Sequence, residues 1–69
     1  MGYILKDEKA KEIREKYKNS YFKEKLDLSD SYTSLILNQR VQLPKSTAYS
    51  FSKILNEKYE IKDIFNKVN

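Results

Sequence analysis

Apolar residues recur along this chain at helical spacing, in short blocks separated by polar breaks. In the first block, about Glu8 to Lys18, Ala10, Ile13 and Tyr17 repeat at intervals of three and four, which places them on one helix face. Lys and Glu fill the other face, and Glu12 precedes Lys16 by four, the favoured order for a helical ion pair. Asp7 is read as the N-cap, because a short acceptor there satisfies a free backbone N–H. Tyr3, Ile4 and Leu5 are read as a segment tucked under the core. The second block spans about Ser20 to Lys25, with Asn19 as its cap and Phe22 and Leu26 as its apolar pair.

Asp27 then interrupts, and a tight turn at this point predicts positive φ there. The third block starts after Ser29, a good N-cap, and runs to about Leu37. Tyr32, Ile36 and Leu37 face inward, Thr33 and Leu35 fit either face, and Asn38 is read as a left-handed stop. "QRVQL" follows as a loop, and Pro44 bars helix until about Lys45. The fourth block, about Ser46 to Asn56, turns Ala48, Phe51, Ile54 and Leu55 inward. "NEKYE" is a polar break. The last block, about Ile61 to Lys67, presents Ile61, Ile64, Phe65 and Val68 at i, i+3, i+4 and i+7. The pattern predicts an all-α fold of five short helices in a single domain over residues 1–69. With one Gly and one Pro, a chain rich in strands and hairpins is not expected.

Composition narrows the chemistry. At 69 residues without Cys or His, the chain has no disulfide, and the common zinc and thiol ligands are missing. A core of this size is marginal, so the fold depends on close helical packing, alone or shared with a second copy. No apolar run approaches the roughly 20 residues of a membrane span. Lys and Glu interrupt the N-terminus too early for a signal peptide, so a cytoplasmic location is expected. The net charge of +4 permits a polyanionic partner without demanding one. Its excess lies early: residues 1–25 carry eight basic and five acidic side chains, and residues 26–69 carry six and five. From Leu26 to Gln39 there is no Lys or Arg, and there are two Asp.

The stretch "FKEKLDLSDSYTSLILNQR" resembles the helix-turn-helix of the Cro/CI (XRE-like) family of small phage-type repressors. The residues that carry the resemblance are Phe22, Leu26, Asp27, Leu28, Ser29, Thr33, Ser34, Ile36, Asn38 and Gln39. Downstream, "LPKSTAYSFSKIL" and "EIKDIF" look like the fourth and fifth helices of the smaller versions, so the likeness covers about Ile13 to Phe65. The resemblance implies a lambda-repressor-like fold, with its helix-turn-helix core at about 19–38. It also implies sequence-specific binding of double-stranded DNA in transcriptional control, as in phage or prophage regulators. Three positions depart from the family pattern. Lys23 replaces a small residue that lets the two helices approach. Asp27 and Gln39 replace glycines, each at on the order of 1 kcal/mol if φ is positive.

Carried over by position, the base-reading side chains are Asp30, Ser31, Ser34 and Leu35, with Asn38 and Arg40 just after. Each also has a plainer reading. Asp30 either accepts from a cytosine amino group or supports the Ser29 cap and the helix dipole. Ser31 and Ser34 either bond a base or phosphate, or are small residues that allow close approach. Leu35 either touches a thymine methyl, anchors a protein partner beside Tyr32, or is half-buried at the helix edge. Arg40 resembles the family's basic loop residue. Lys45 at the start of the fourth helix, and Asn19 and Ser20 at the start of the second, sit where free N–H groups favour a phosphate; capping with solvated lysine is the alternative.

The six tyrosines make no stacking platform by their spacing, and most of them are read as core-edge residues. Tyr59 and Val68, if exposed, offer a homodimer contact, and a palindromic operator would match a symmetric pair. Enzymatic chemistry is not expected, since acid–base work would fall to solvated carboxylates and no phosphate loop exists. No cofactor is expected. The competing class is a helix-turn-helix scaffold that binds protein, an antirepressor or anti-CRISPR-like inhibitor, as the cation-free third helix suggests.

Overall fold

The computed structural model describes residues 2–68. Its elements in order are β1 (Gly2–Leu5), α1 (Asp7–Lys16), α2 (Asn19–Leu26), α3 (Asp30–Leu37), α4 (Lys45–Leu55), α5 (Ile61–Ile64) and β2 (Phe65–Val68). Helices predominate, as the periodicity predicts, but the fold is not all-α. β1 and β2 pair antiparallel in the register Gly2↔Val68, Tyr3↔Lys67, Ile4↔Asn66 and Leu5↔Phe65. Tyr3 also exchanges backbone hydrogen bonds with Leu43, at 2.9 and 2.7 Å, so the loop before α4 is stitched to the outer side of β1.

The expected fifth helix to Lys67 ends at Ile64. Its i, i+3, i+4, i+7 spacing suits a helix, yet Ile64 and Phe65 are buried and Asn66 and Lys67 exposed. Pairing with β1 satisfies the backbone of 65–68 and overrides the local period. Gly2 allows the loop before α4 to approach β1: a Cβ there would stand 2.6 Å from the Gln42 Cβ.

α1, α2 and α4 enclose a core centred on Phe22 and Phe51, both fully buried and stacked with ring centroids 4.6 Å apart. Phe65 meets Phe51 edge-on at 5.7 Å, which ties β2 to the helices. Leu5, Ala10, Ile13, Ile36, Leu37, Leu43, Ala48 and Ile64 complete the core. Two polar residues lie inside it, and both bond back along their own helix: Thr33 Oγ1 donates to the Ser29 carbonyl at 2.8 Å and Ser52 Oγ to that of Ala48 at 2.9 Å. Burial of Thr33 resolves its ambiguous helical position.

Three expected caps shift. Lys6 and Lys18 occupy the N-cap positions of α1 and α2, leaving Asp7 and Asn19 as first-turn residues whose side chains serve tertiary contacts instead. Asn38 is not left-handed (φ −97°); the left-handed residue is Gln39, at φ 59°. Ser29 caps α3 as expected, accepting from the Tyr32 N–H at 3.1 Å.

Candidate nucleic-acid interface

α3 is held so that one face points away from the molecule. Thr33, Ile36 and Leu37 are buried, which fixes the helix rotation and leaves Asp30, Ser31 and Leu35 outside. α2 enters the turn through Leu26, and Asp27 adopts left-handed backbone at φ 55° and ψ 38°. Leu28 packs against the core, and Ser29 opens α3. The approach of α2 and α3 does not suffer from Lys23, because its side chain is exposed. At the far end of α3 the Arg14 guanidinium donates to the Leu37 carbonyl, placing a cation where the helix dipole is negative.

The expected contact residues divide by what their polar atoms already do. Asn19 Nδ2 donates to Ser34 Oγ at 3.0 Å, which pins the start of α2 beside the exposed edge of α3. The Asn19 carbonyl oxygen and the Ser34 hydroxyl proton stay available. Asn38 Nδ2 donates to the Ser34 carbonyl at 2.9 Å and so closes the helix end. Ser29 Oγ is used as an acceptor by the cap. Asp30, Ser31 and Arg40 make no side-chain hydrogen bond or ion pair among the described residues, and all three are exposed, as is Ser20. Leu35 is 40% exposed, the more outward of the two readings for its position. Tyr32, its suggested companion, is packed in part against the core.

The turn and the start of α4 belong to one surface. Leu26 and Leu28 face Ser46, Thr47 and Ser50 across a groove of about 200 Å³. The Asn19–Ser34 bond thus joins the start of α2 to the edge of α3, and the groove joins the turn to the first turns of α4. Neither of the two cations lines that groove. Arg40 borders a separate groove with Ile4, Val41 and Gln42. Lys45 lines a third concavity with Tyr3, Tyr49 and Lys53.

Five of the six tyrosines are half-buried, as expected of most of them, and Tyr49 is the exception. It is 55% exposed rather than at the core edge, with Lys53 Nζ 5.4 Å from its ring centre. A signal for it existed: Lys45, Tyr49 and Lys53 are four apart, a stripe that flanks the buried Ala48, Phe51 and Ser52. Tyr59 and Val68 are both half-buried. Among the described residues no group of His, Cys, Asp or Glu is arranged to hold a metal ion, and no helix is long and apolar enough to cross a membrane. In comparison with known proteins, the chain matches no family model, no curated sequence and no solved structure.

Proposed function

We propose that α2, the Asp27 turn and α3 form a helix-turn-helix of the Cro/CI type, and that the domain binds duplex DNA sequence-specifically as a cytoplasmic transcriptional regulator. The observation that carries this reading is the α2–turn–α3 unit itself: a left-handed Asp27, a Ser29 cap, and a third helix whose outward face carries Asp30, Ser31 and Leu35. In this reading α3 enters the major groove. Ser31, Ser34 and Asp30 meet base edges and Leu35 a thymine methyl. Phosphates are held by the first turns of α2 and α4 and by Arg40 and Lys45. A symmetric pair of copies on a palindromic operator is the matching assembly.

Such a reader relies little on charge. Each phosphate contact contributes about −0.9 to the slope of log affinity against log salt, so a few contacts give a shallow slope. The test is selection from a random duplex pool at fixed salt. An enriched motif, with affinity reduced in Arg40→Ala and Leu35→Ala, supports the proposal. Absence of enrichment overturns it.

One observation favours a second reading. An exposed Leu35 on a helix without Lys or Arg is also a suitable anchor for a protein partner, as in an antirepressor or inhibitor built on the same scaffold. That reading requires Leu35→Ala to abolish a protein complex while Arg40→Ala leaves it unchanged.

A further inference from the structure

A cleft of about 500 Å³ lies away from the outward face of α3, between α4, the start of α5 and one face of the sheet. Three elements build it. α4 supplies Lys45, Tyr49 and Lys53, one residue per turn. The α5 start supplies Glu60, Ile61 and Lys62. The strands supply Phe65 and the cross-strand pair Tyr3 and Lys67. Its walls are thus aromatic and aliphatic, and its rim carries four lysines against one carboxylate.

The charges are unevenly matched. Glu60 is already engaged in the α5 capping box and lies 3.2 Å from Lys62 Nζ. Lys53 Nζ donates to the Glu57 carbonyl at 2.8 Å and rests over Tyr49. Lys45 and Lys67 have no carboxylate partner among the described residues. The size falls within the range of small-molecule sites, about 300–1,000 Å³, and such sites combine apolar walls with a few polar groups. An occupant must therefore be flat and apolar in its body, to lie against Tyr49, Tyr3 and Ile61. It must also carry negative charge, to meet Lys45 and Lys67.

We propose that this cleft is a binding site for an aromatic anion, a planar ring system bearing a carboxylate or a phosphate. Neither half of that chemistry suffices alone. A ring without charge leaves the lysines unmatched, and an anion without a ring leaves the aromatic walls in water. The proposal does not depend on DNA binding, and it gives Tyr49 and Lys67 a common role.

Two ligands separate the sources of the anion: 2-naphthoate carries a carboxylate, adenosine 5′-monophosphate a phosphate. Each is titrated into the intact protein and followed by amide chemical shifts. 2-Naphthalenemethanol, acetate and inorganic phosphate are the controls. The expected result is saturable shifts at Tyr49, Ile61, Phe65 and Lys67 with at least one aromatic anion, and none with the controls. Lys67→Gln should weaken that binding roughly tenfold, the scale of a lost charge-assisted contact, and Tyr49→Ala should weaken it as well. Both side chains are exposed, and circular dichroism verifies that the variants fold. Failure of both anions to saturate at millimolar concentration overturns the proposal. So does binding of the neutral naphthalene with equal affinity, or indifference to Lys67→Gln. Lys45 is common to the cleft and the proposed duplex surface, but Lys67 and Tyr49 are not, so the Lys67→Gln and Tyr49→Ala variants let either proposal fail without the other.

Discussion

Asp27 and Gln39 bracket α3 with nearly the same left-handed backbone, at φ 55° and 59°, and neither is glycine. Their surroundings differ. Asp27 is exposed, and its carboxylate makes no hydrogen bond among the described residues. Gln39 is half-buried, and its Nε2 donates to the Leu5 carbonyl at 2.9 Å and to Asp7 Oδ1 at 2.6 Å. The second turn thus ties α3 to β1 and α1, while the first only reverses the chain. The same backbone conformation is offset by tertiary bonds at one end of the helix and left uncompensated at the other.

The comparison assumes that both turns rest on one cooperative core, and the largest expected effect tests that. Phe51→Ala removes the ring stacked on Phe22 and should cost about 3–5 kcal/mol, enough to unfold much of so small a domain. Amide exchange at Asp27 and Gln39 should then rise together. Exchange rising at only one turn would show two separate units. Next in size is Gln39→Ala, which keeps the strained backbone and removes both side-chain bonds. Its expected cost is about 1–3 kcal/mol in urea unfolding. An unchanged midpoint would mean that the bonds to Leu5 and Asp7 contribute nothing net. Asp27→Gly should go the other way, stabilising by about 0.5–1 kcal/mol, because glycine accepts this φ without a Cβ penalty. A loss there would reveal a role for the carboxylate beyond the turn.

The smallest effect supplies a benchmark for fully solvated contacts. The Lys16 ammonium, hydrogen-bonded to Glu12 at 3.0 Å, and Lys9 at 3.8 Å hold the Glu12 carboxyl below its usual pKa, and Glu12 in turn raises that of Lys16. For Glu12 the folded value is depressed, so the contribution is present above the ordinary carboxylate range and fades as pH falls through the folded value. For Lys16 it is present below the ordinary amine range and fades as pH rises through the raised value. Both groups are exposed, so salt should diminish the effect. Carboxyl-carbon NMR titration should place Glu12 lower than in Lys16→Ala, and equal midpoints would remove the interaction.

The turns also mark how far the sequence could be read. Positive φ at Asp27 follows from its place between two apolar helix ends, and the Ser29 cap from residue type alone. The inward faces of α1 and α4 follow from spacing at Ala10, Ile13, Ala48 and Phe51. Gln39 was legible only as a family glycine replaced, because its compensation comes from Leu5 and Asp7, more than thirty residues away. The sheet was hidden for the same reason. Phe65 and Val68 fit a helical period, and only the partner strand Gly2–Leu5 makes them a strand. At the candidate interface, the exposure of Leu35 was open to two readings until the burial of Thr33 fixed the rotation of α3. The tyrosine pattern did not single out Tyr49 as the outward one, because tyrosine suits the core edge and the surface equally well.

The pairing of Gly2 with Val68 has a mechanical consequence. Both ends of the described chain leave the molecule side by side, so anything joined to either end departs from the same spot. A pull applied through those two points would load the ladder from its open end. Gly2–Val68 would part first and Tyr3–Lys67 next, one rung at a time. Resistance would rise at Tyr3, which Leu43 also holds, and again at Leu5–Phe65, where the ladder meets the buried rings. The domain is therefore expected to yield to force in its strands before its helices, as an opening zipper rather than a sheared plate.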